Sequence, residues 1–286
     1  MTRSIHPDTD LGTVYLKVAE LDRSIRYYEE VIGLKLISRE GAVARLGTGG
    51  SEALLQLEQL PTGAVQAPRR RTGLYHFAIL VPTREALGLA VRNFLQRRVP
   101  VGQGDHLVSE AIYLSDPDDN GIEVYADRPR DTWSYTPQGE VVMATDPVDI
   151  EGLLALAGDK PWTGLPAGTI MGHVHLHVRD LQEAKRFYVD TLGFDIVANY
   201  GGQALFVSAG GYHHHVGLNT WAGVGAPPPP VNAPGLIHFT VRLPDDAELA
   251  RVLSALQENG VTAERREDGW IASDPSSNRV LLTVRA

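Results

Sequence analysis

The sequence predicts an α+β protein made of four copies of one strand–helix–strand–strand–strand unit, and three observations point there. The stretch "LGTVYLKVAELDRSIRYYEEVIGLKL" from Leu11 repeats as "MGHVHLHVRDLQEAKRFYVDTLGFDI" from Met171. Two looser copies begin at Gly73, "GLYHFAILVPTREALGLAVRNFLQRRVPV", and at Gly235, "GLIHFTVRLPDDAELARVLSALQENGVTA". The looser pair also shares a later turn and strand, "SDPDDNGIEVYA" (Ser115–Ala126) and "SDPSSNRVLLTV" (Ser273–Val284).

The first unit opens with Val14, Leu16 and Val18 alternating as a strand does. An acidic-Leu pair, Glu20-Leu21, then leads a helix-period segment that stops at Gly33, a residue free to turn left-handed. The second unit runs from its strand through a Pro-containing turn that opens a helix. It ends in an Asp-Pro turn with Asn before the strand "GIEVYA". A connector bearing Pro, Asp and Trp follows, from about Arg128 to Ala167. The third unit repeats the first, with Val174, Leu176 and Val178 as strand, Asp180-Leu181 before the helix and Gly193 after it. Its last strand is read in "YHHHVGLN", and "GAPPPP" (Gly225–Pro230) then forms a stiff spacer that cannot enter a sheet. The units span 9–60, 72–127, 169–222 and 234–286, giving a first region 1–127, a connector 128–167 and a second region 168–286.

Composition narrows the function. The 286 residues are 43% hydrophobic and 21% charged, ordinary for a soluble globular chain. A net charge of −9 opposes nucleic-acid binding, and the one basic run, Arg69–Arg71, reads as a solvated loop. With no cysteine there is no disulfide, thiolate zinc site or iron–sulfur cluster. The N-terminal "MTRSIHPDTD" lacks the apolar core of a signal peptide, and no apolar run is long enough to span a bilayer. The expectation is a soluble, cytoplasmic protein with no membrane partner.

The pattern resembles the vicinal oxygen chelate superfamily, which includes glyoxalase I, bleomycin- and fosfomycin-resistance proteins and extradiol ring-cleaving dioxygenases. The resemblance covers nearly the whole chain, and "GHVHLHVRDL…FYVDTLGF", "GLYHFAIL" and "YLSDPDDNGIEVY" carry it most specifically. It implies that paired units form curled-sheet cups around one metal, with ligands from the first and last strands. The matching first-strand positions are Thr13, His76, His173 and His238; the matching last-strand positions are Glu123 and Leu281. Pairing units one with two and three with four leaves two broken sites. Pairing two with three, and one with four, gathers His76, Glu123 and His173 in one cup and leaves Thr13, His238 and Leu281 in the other. Two histidines and a carboxylate are the ligand type of non-haem Fe(II) oxygenases, and Mn(II) fits the same donors. If units one and two share a cup instead, Thr13 stands where a histidine belongs.

Glu123 also stands out on its own, because alternation turns it away from Ile122 and Val124 and a carboxylate inside a sheet needs a partner. His175 and His177 share the face of His173, and alignment with Thr13 selects His173. In the triple histidine, counting back from Leu218 makes His214 the position resembling the extradiol acid/base, with His213 and His215 turned to the other face. Tyr113, ten residues before Glu123, matches the tyrosine that bonds a substrate oxygen; His106 is the nearest match to an upstream histidine, about two residues short in spacing. Asn219 and Trp221 are read as substrate wall. The resemblance thus implies an Fe(II)-dependent extradiol dioxygenase acting on a catechol-type diol with dioxygen. A glyoxalase-like metal-dependent isomerase or lyase, and a metal-free ligand-binding protein of the resistance type, stay open, as do hydroquinone-type diols. Strand edges between the cups could pair two copies as a homodimer.

Overall fold

The structure, a computed structural model, describes residues 4–61 and 64–285. The first unit supplies β1 (Asp10–Val18), α1 (Leu21–Tyr27), β2 (Lys35–Glu40), β3 (Val43–Gly47) and β4 (Leu55–Gln59). The second supplies β5 (Gly73–Leu80), α2 (Arg84–Gln96), β6 (Gly102–Asp105), β7 (Ser109–Ser115) and β8 (Gly121–Asp127). The connector contributes α3 (Ile150–Ala157). The third unit gives β9 (Ile170–His177), α4 (Leu181–Lys185), β10 (Asp195–Tyr200), β11 (Ala204–Ser208) and β12 (Val216–Asn219). The fourth gives β13 (Gly235–Leu243), α5 (Asp246–Glu258), β14 (Ala263–Arg266), β15 (Gly269–Ser273) and β16 (Arg279–Val284).

Local chemistry sets the helix ends. The side chains of Thr83, Asp180 and Asp245 accept from the backbone N–H of Ala86, Glu183 and Glu248, satisfying donors that a helix start leaves free. The helices α1 and α4 run on as π-helical turns, Tyr28–Ile32 and Arg186–Thr191. The first of these stops at Gly33 with φ +88°, and Gly193 follows the second with φ +96°. Both are the glycines read as helix stops.

Two eight-stranded sheets result, ordered β14-β15-β16-β13-β1-β4-β3-β2 and β10-β11-β12-β9-β5-β8-β7-β6. Each sheet joins two units through their first strands, one with four and two with three, as the ligand pattern requires. At the second seam β5 and β9 run antiparallel, with His76 opposite His175 and Ala78 opposite His173. The helices follow the other pairing. Tyr28 beyond α1 donates to Asp116 Oδ2 at 2.8 Å in the second unit, and Tyr188 beyond α4 donates to Asp274 Oδ2 at 3.1 Å in the fourth. Each unit is therefore bonded to one neighbour through its sheet and to its neighbour in sequence through its helix. The Asp-Pro turns make this possible: Asp116 and Asp274 each hold two backbone N–H groups of their own turn while receiving the tyrosine.

Alternation divides the faces. Ile122, Val124 and Ala126 of β8, Val174 and Leu176 of β9, and Phe77 and Ile79 of β5 enter the main apolar core. The residues between them face the cup. The connector does more than link. Its α3 packs on α2, where the Leu153 carbonyl occupies the space a side chain at Gly88 would need. Before that helix, Asp146 exchanges backbone hydrogen bonds with Asp105 and Val141 donates to the Val197 carbonyl at 2.8 Å. That draws Met143–Thr145 across the second sheet's cup.

Candidate active site

Three adjacent strands bring the candidate ligands together. His76 stands on β5, His173 on β9 and Glu123 on β8, all buried, with one donor atom from each lying within 4.8 Å of the others. Glu123 Oε2 is 3.1 Å from His76 Nε2 and 3.0 Å from His173 Nε2. Burial alone would raise the Glu123 carboxyl, but His173 and His76 beside it outweigh that and hold it well below the usual carboxylate range. Burial also pushes His173 down to about 4, against the pull of Glu123. At neutral pH the set is a carboxylate facing a neutral imidazole, the protonation states that a metal needs.

The donors fit a divalent ion. His76 Nε2 is buried and has no hydrogen-bond partner, because its approach to Glu123 lacks hydrogen-bond alignment. Neighbouring donors of an octahedral ion, each about 2.1 Å from it, stand about 3 Å apart. The two nitrogen-to-oxygen distances match that spacing.

Beside the cluster lies a cavity of about 320 Å³, walled mainly by apolar and aromatic surface. Tyr113 and His106 line it as a bonded pair. His106 Nδ1 donates to the Ala144 carbonyl at 2.7 Å, so its Nε2 is the acceptor for the Tyr113 hydroxyl at 2.6 Å. The short sequence spacing of His106 is no obstacle, because its partner carbonyl comes from the connector. Burial and Glu123 raise the Tyr113 hydroxyl well above its ordinary range, so it stays a donor.

The triple histidine departs from strand alternation. It precedes β12 rather than belonging to it, so the period-two rule does not govern it. His213 and His214 both line the cavity, with their Nδ1 atoms 2.9 Å apart. His215 alone turns away, its Nδ1 accepting from the Ala209 N–H at 3.1 Å between Phe194 and Tyr212. His214 lies with its ring centroid 4.0 Å from that of His173. Trp221 lines the cavity half-exposed, edge-on to Tyr75. Asn219 does not belong to that lining: its Oδ1 bonds His177 Nδ1 and the Trp221 N–H, and its work is to end the strand.

Several cavity groups escaped the sequence reading. Tyr75 and Phe206 line it, as does His175, which the sequence placed on the face of His173 and whose Nε2 is buried without a partner. Asp127 stands behind the histidines, 2.9 Å from His213 Nε2. Counting by twos from Glu123 along β8 would have found it, since Glu123, Tyr125 and Asp127 share a face. Nothing local to Met143–Thr145 marks them as cavity wall.

A family model described as the Glyoxalase/Bleomycin resistance protein/Dioxygenase superfamily matches residues 11–124 and 170–276. The chain belongs to this superfamily. Within it, the sequence is 52% identical to the catechol-2,3-dioxygenase of Bacillus subtilis (strain 168) over 98% of this chain and 99% of the relative. The fold is shared with glyoxalase I of Zea mays, at TM-score 0.57 and 19% identity, covering 96% of this chain and 92% of that one. A candidate dioxygenase from Bacillus subtilis superposes at TM-score 0.65 with 12% identity, over 99% of this chain and 85% of the other.

The superfamily's second ligand position set, in the cup of units one and four, gathers no cluster of metal donors among the described residues. Thr13 donates its hydroxyl to the Ala53 carbonyl at 2.7 Å, Leu281 is buried, and His238 lies edge-on to Tyr15. Burial pushes His238 down to about 4, so it sits there as a neutral ring. Among the described residues, His76, Glu123 and His173 form the one cluster able to hold an ion. Among them, too, no helix is long and apolar enough to cross a membrane.

Proposed function

We propose that the protein is an extradiol dioxygenase that opens a catechol-type ring next to its diol, using dioxygen and a metal held by His76, Glu123 and His173. The observation that carries the reading is the buried cluster of two histidines and a carboxylate beside a small apolar cavity. The full-length 52% identity to a catechol-2,3-dioxygenase supports it. Fe(II) is the ion this donor type favours, with Mn(II) able to use the same atoms. When bound, that ion supplies the redox and Lewis-acid chemistry through which diol and dioxygen react.

The chain's own side chains do the rest. About 320 Å³ suits one substituted ring, at the small end of ligand cavities. Phe206 and Trp221 form apolar walls for that ring. His214 takes a proton from a diol hydroxyl and returns it as the ring opens. Tyr113, its hydrogen held by His106, turns its oxygen to accept from a substrate hydroxyl. Met143–Thr145 of the connector help exclude water from the far side. A glyoxalase-like reaction lacks support here, because among the described residues no second acid joins the cluster.

Anaerobic reconstitution with Fe(II), then addition of a catechol and oxygen, tests the reading. The yellow ring-fission product is expected from the wild type and absent from Glu123→Ala, which also fails to retain iron. A panel of catechols and hydroquinones giving no product, with no stoichiometric iron bound, would overturn it.

A further inference from the structure

Behind His214 runs a hydrogen-bonded chain that ends on a carboxylate. Asp127 Oδ1 lies 2.9 Å from His213 Nε2, and a carboxylate only accepts, so His213 carries its hydrogen on Nε2. The other nitrogen of that ring, Nδ1, lies 2.9 Å from His214 Nδ1. Two imidazole nitrogens this close share one hydrogen, and a His213 ring whose hydrogen faces Asp127 offers its other nitrogen as a lone pair. The hydrogen therefore sits on His214 Nδ1. A neutral imidazole has a single N–H, which leaves His214 Nε2 with its lone pair bare.

The surroundings hold this order in place. Tyr212 donates to the same Asp127 oxygen at 3.2 Å, and Tyr125 donates to the Tyr212 hydroxyl at 2.7 Å. Gly172 lacks a side chain where the Tyr125 hydroxyl stands, so that tyrosine can reach in. On the far side Trp133 of the connector packs against His213 with ring centroids 5.5 Å apart, and Arg130 lies over both Trp133 and Tyr212. His213 is 1% exposed and His214 8%, so both rings are held within the protein rather than at its surface.

We infer that Asp127 and His213 are positioning residues that fix the hydrogen of His214 on Nδ1 and thereby keep its Nε2 ready to accept a substrate proton. The inference rests on the reading of His214 as the acid/base group. It gives two of the three consecutive histidines distinct work: His214 moves the proton, and His213 passes the orienting effect of Asp127 to it. When His214 gains a proton at Nε2, the Asp127 carboxylate behind His213 stabilises the resulting cation, by the same logic as an aspartate behind a catalytic histidine elsewhere.

Nitrogen-15 NMR of histidine-labelled, metal-free protein reads the hydrogen positions directly. The wild type should show Nε2–H on His213 and Nδ1–H on His214. Asp127→Asn can donate to His213 Nε2, which reverses the order and moves the His214 hydrogen to Nε2. Kinetics of the iron-loaded pair should then show kcat lowered about a hundredfold or more, with KM held within about threefold. Wild-type spectra with the His214 hydrogen on Nε2, or spectra unchanged by Asp127→Asn, would overturn the inference. A reversed order with undiminished kcat would overturn it as well. The spectra need neither metal nor turnover, so a wild type without ring-cleaving activity would sink the functional reading and leave the hydrogen placement to be decided by NMR.

Discussion

His215 provides a stability measurement with a calculable size. Burial, with His213 and His173 nearby, pushes it down to about 3. Its Nδ1 accepts from the Ala209 N–H, a bond that only the unprotonated nitrogen can make. In the unfolded chain a histidine titrates near its ordinary value of about 6.5. Between those values the unfolded chain binds the proton and the folded one does not, so stability falls as pH falls from about 6.5 towards 3. At pH 5 the unfolded residue is about 1.5 units past its midpoint while the folded one stays neutral, which costs about 2 kcal/mol relative to pH 7. In His215→Asn the amide oxygen can still accept from Ala209, but nothing titrates. Urea unfolding of metal-free wild type and variant at pH 7 and pH 5 should show the wild type losing about 2 kcal/mol more than the variant. His173 and His238, both pushed down to about 4, add a slope of their own that is common to the two proteins and cancels in the difference. Equal losses in wild type and variant would refute the reasoning.

Three further substitutions test separate parts of the structure. Tyr113→Phe removes the hydroxyl that His106 accepts, and steady-state kinetics of the iron-loaded enzyme should show kcat down roughly tenfold to a hundredfold; an unchanged kcat would remove the hydroxyl from the chemistry. Gly172→Ala drives a methyl group into the Tyr125 hydroxyl and should cost about 1–3 kcal/mol in urea unfolding, with Tyr125→Phe in the same chain restoring part of it. Tyr28→Phe deletes the buried bond to Asp116 that ties the first unit's helix to the second unit, and should cost roughly 2 kcal/mol; no shift of the unfolding midpoint would mean that packing alone makes that joint.

The site was legible where a rule acts along the chain. Alternation placed Glu123 opposite Ile122 and Val124, and the matched units aligned His76 and His173, because a strand repeats every two residues whatever it pairs with. The same rule failed for His213–His215, since those residues lie in the turn before β12. Asn219 was read as wall and instead holds the strand end through His177 and Trp221.

By itself, then, the sequence determined the four units, their glycine stops and Asp-Pro turns, and which residues of each strand share a face, because these depend on neighbours a few positions away. Tertiary structure carried out the joining of units two with three and one with four that the ligand pattern had pointed to. β5 meets β9 across the connector, so His76 and Glu123 reach His173 fifty residues beyond Glu123. It also decided that Ala144 orients His106 and that Asp127 lies behind His213, 86 residues later. Contacts between segments so far apart follow from how whole sheets pack, and no local periodicity encodes them.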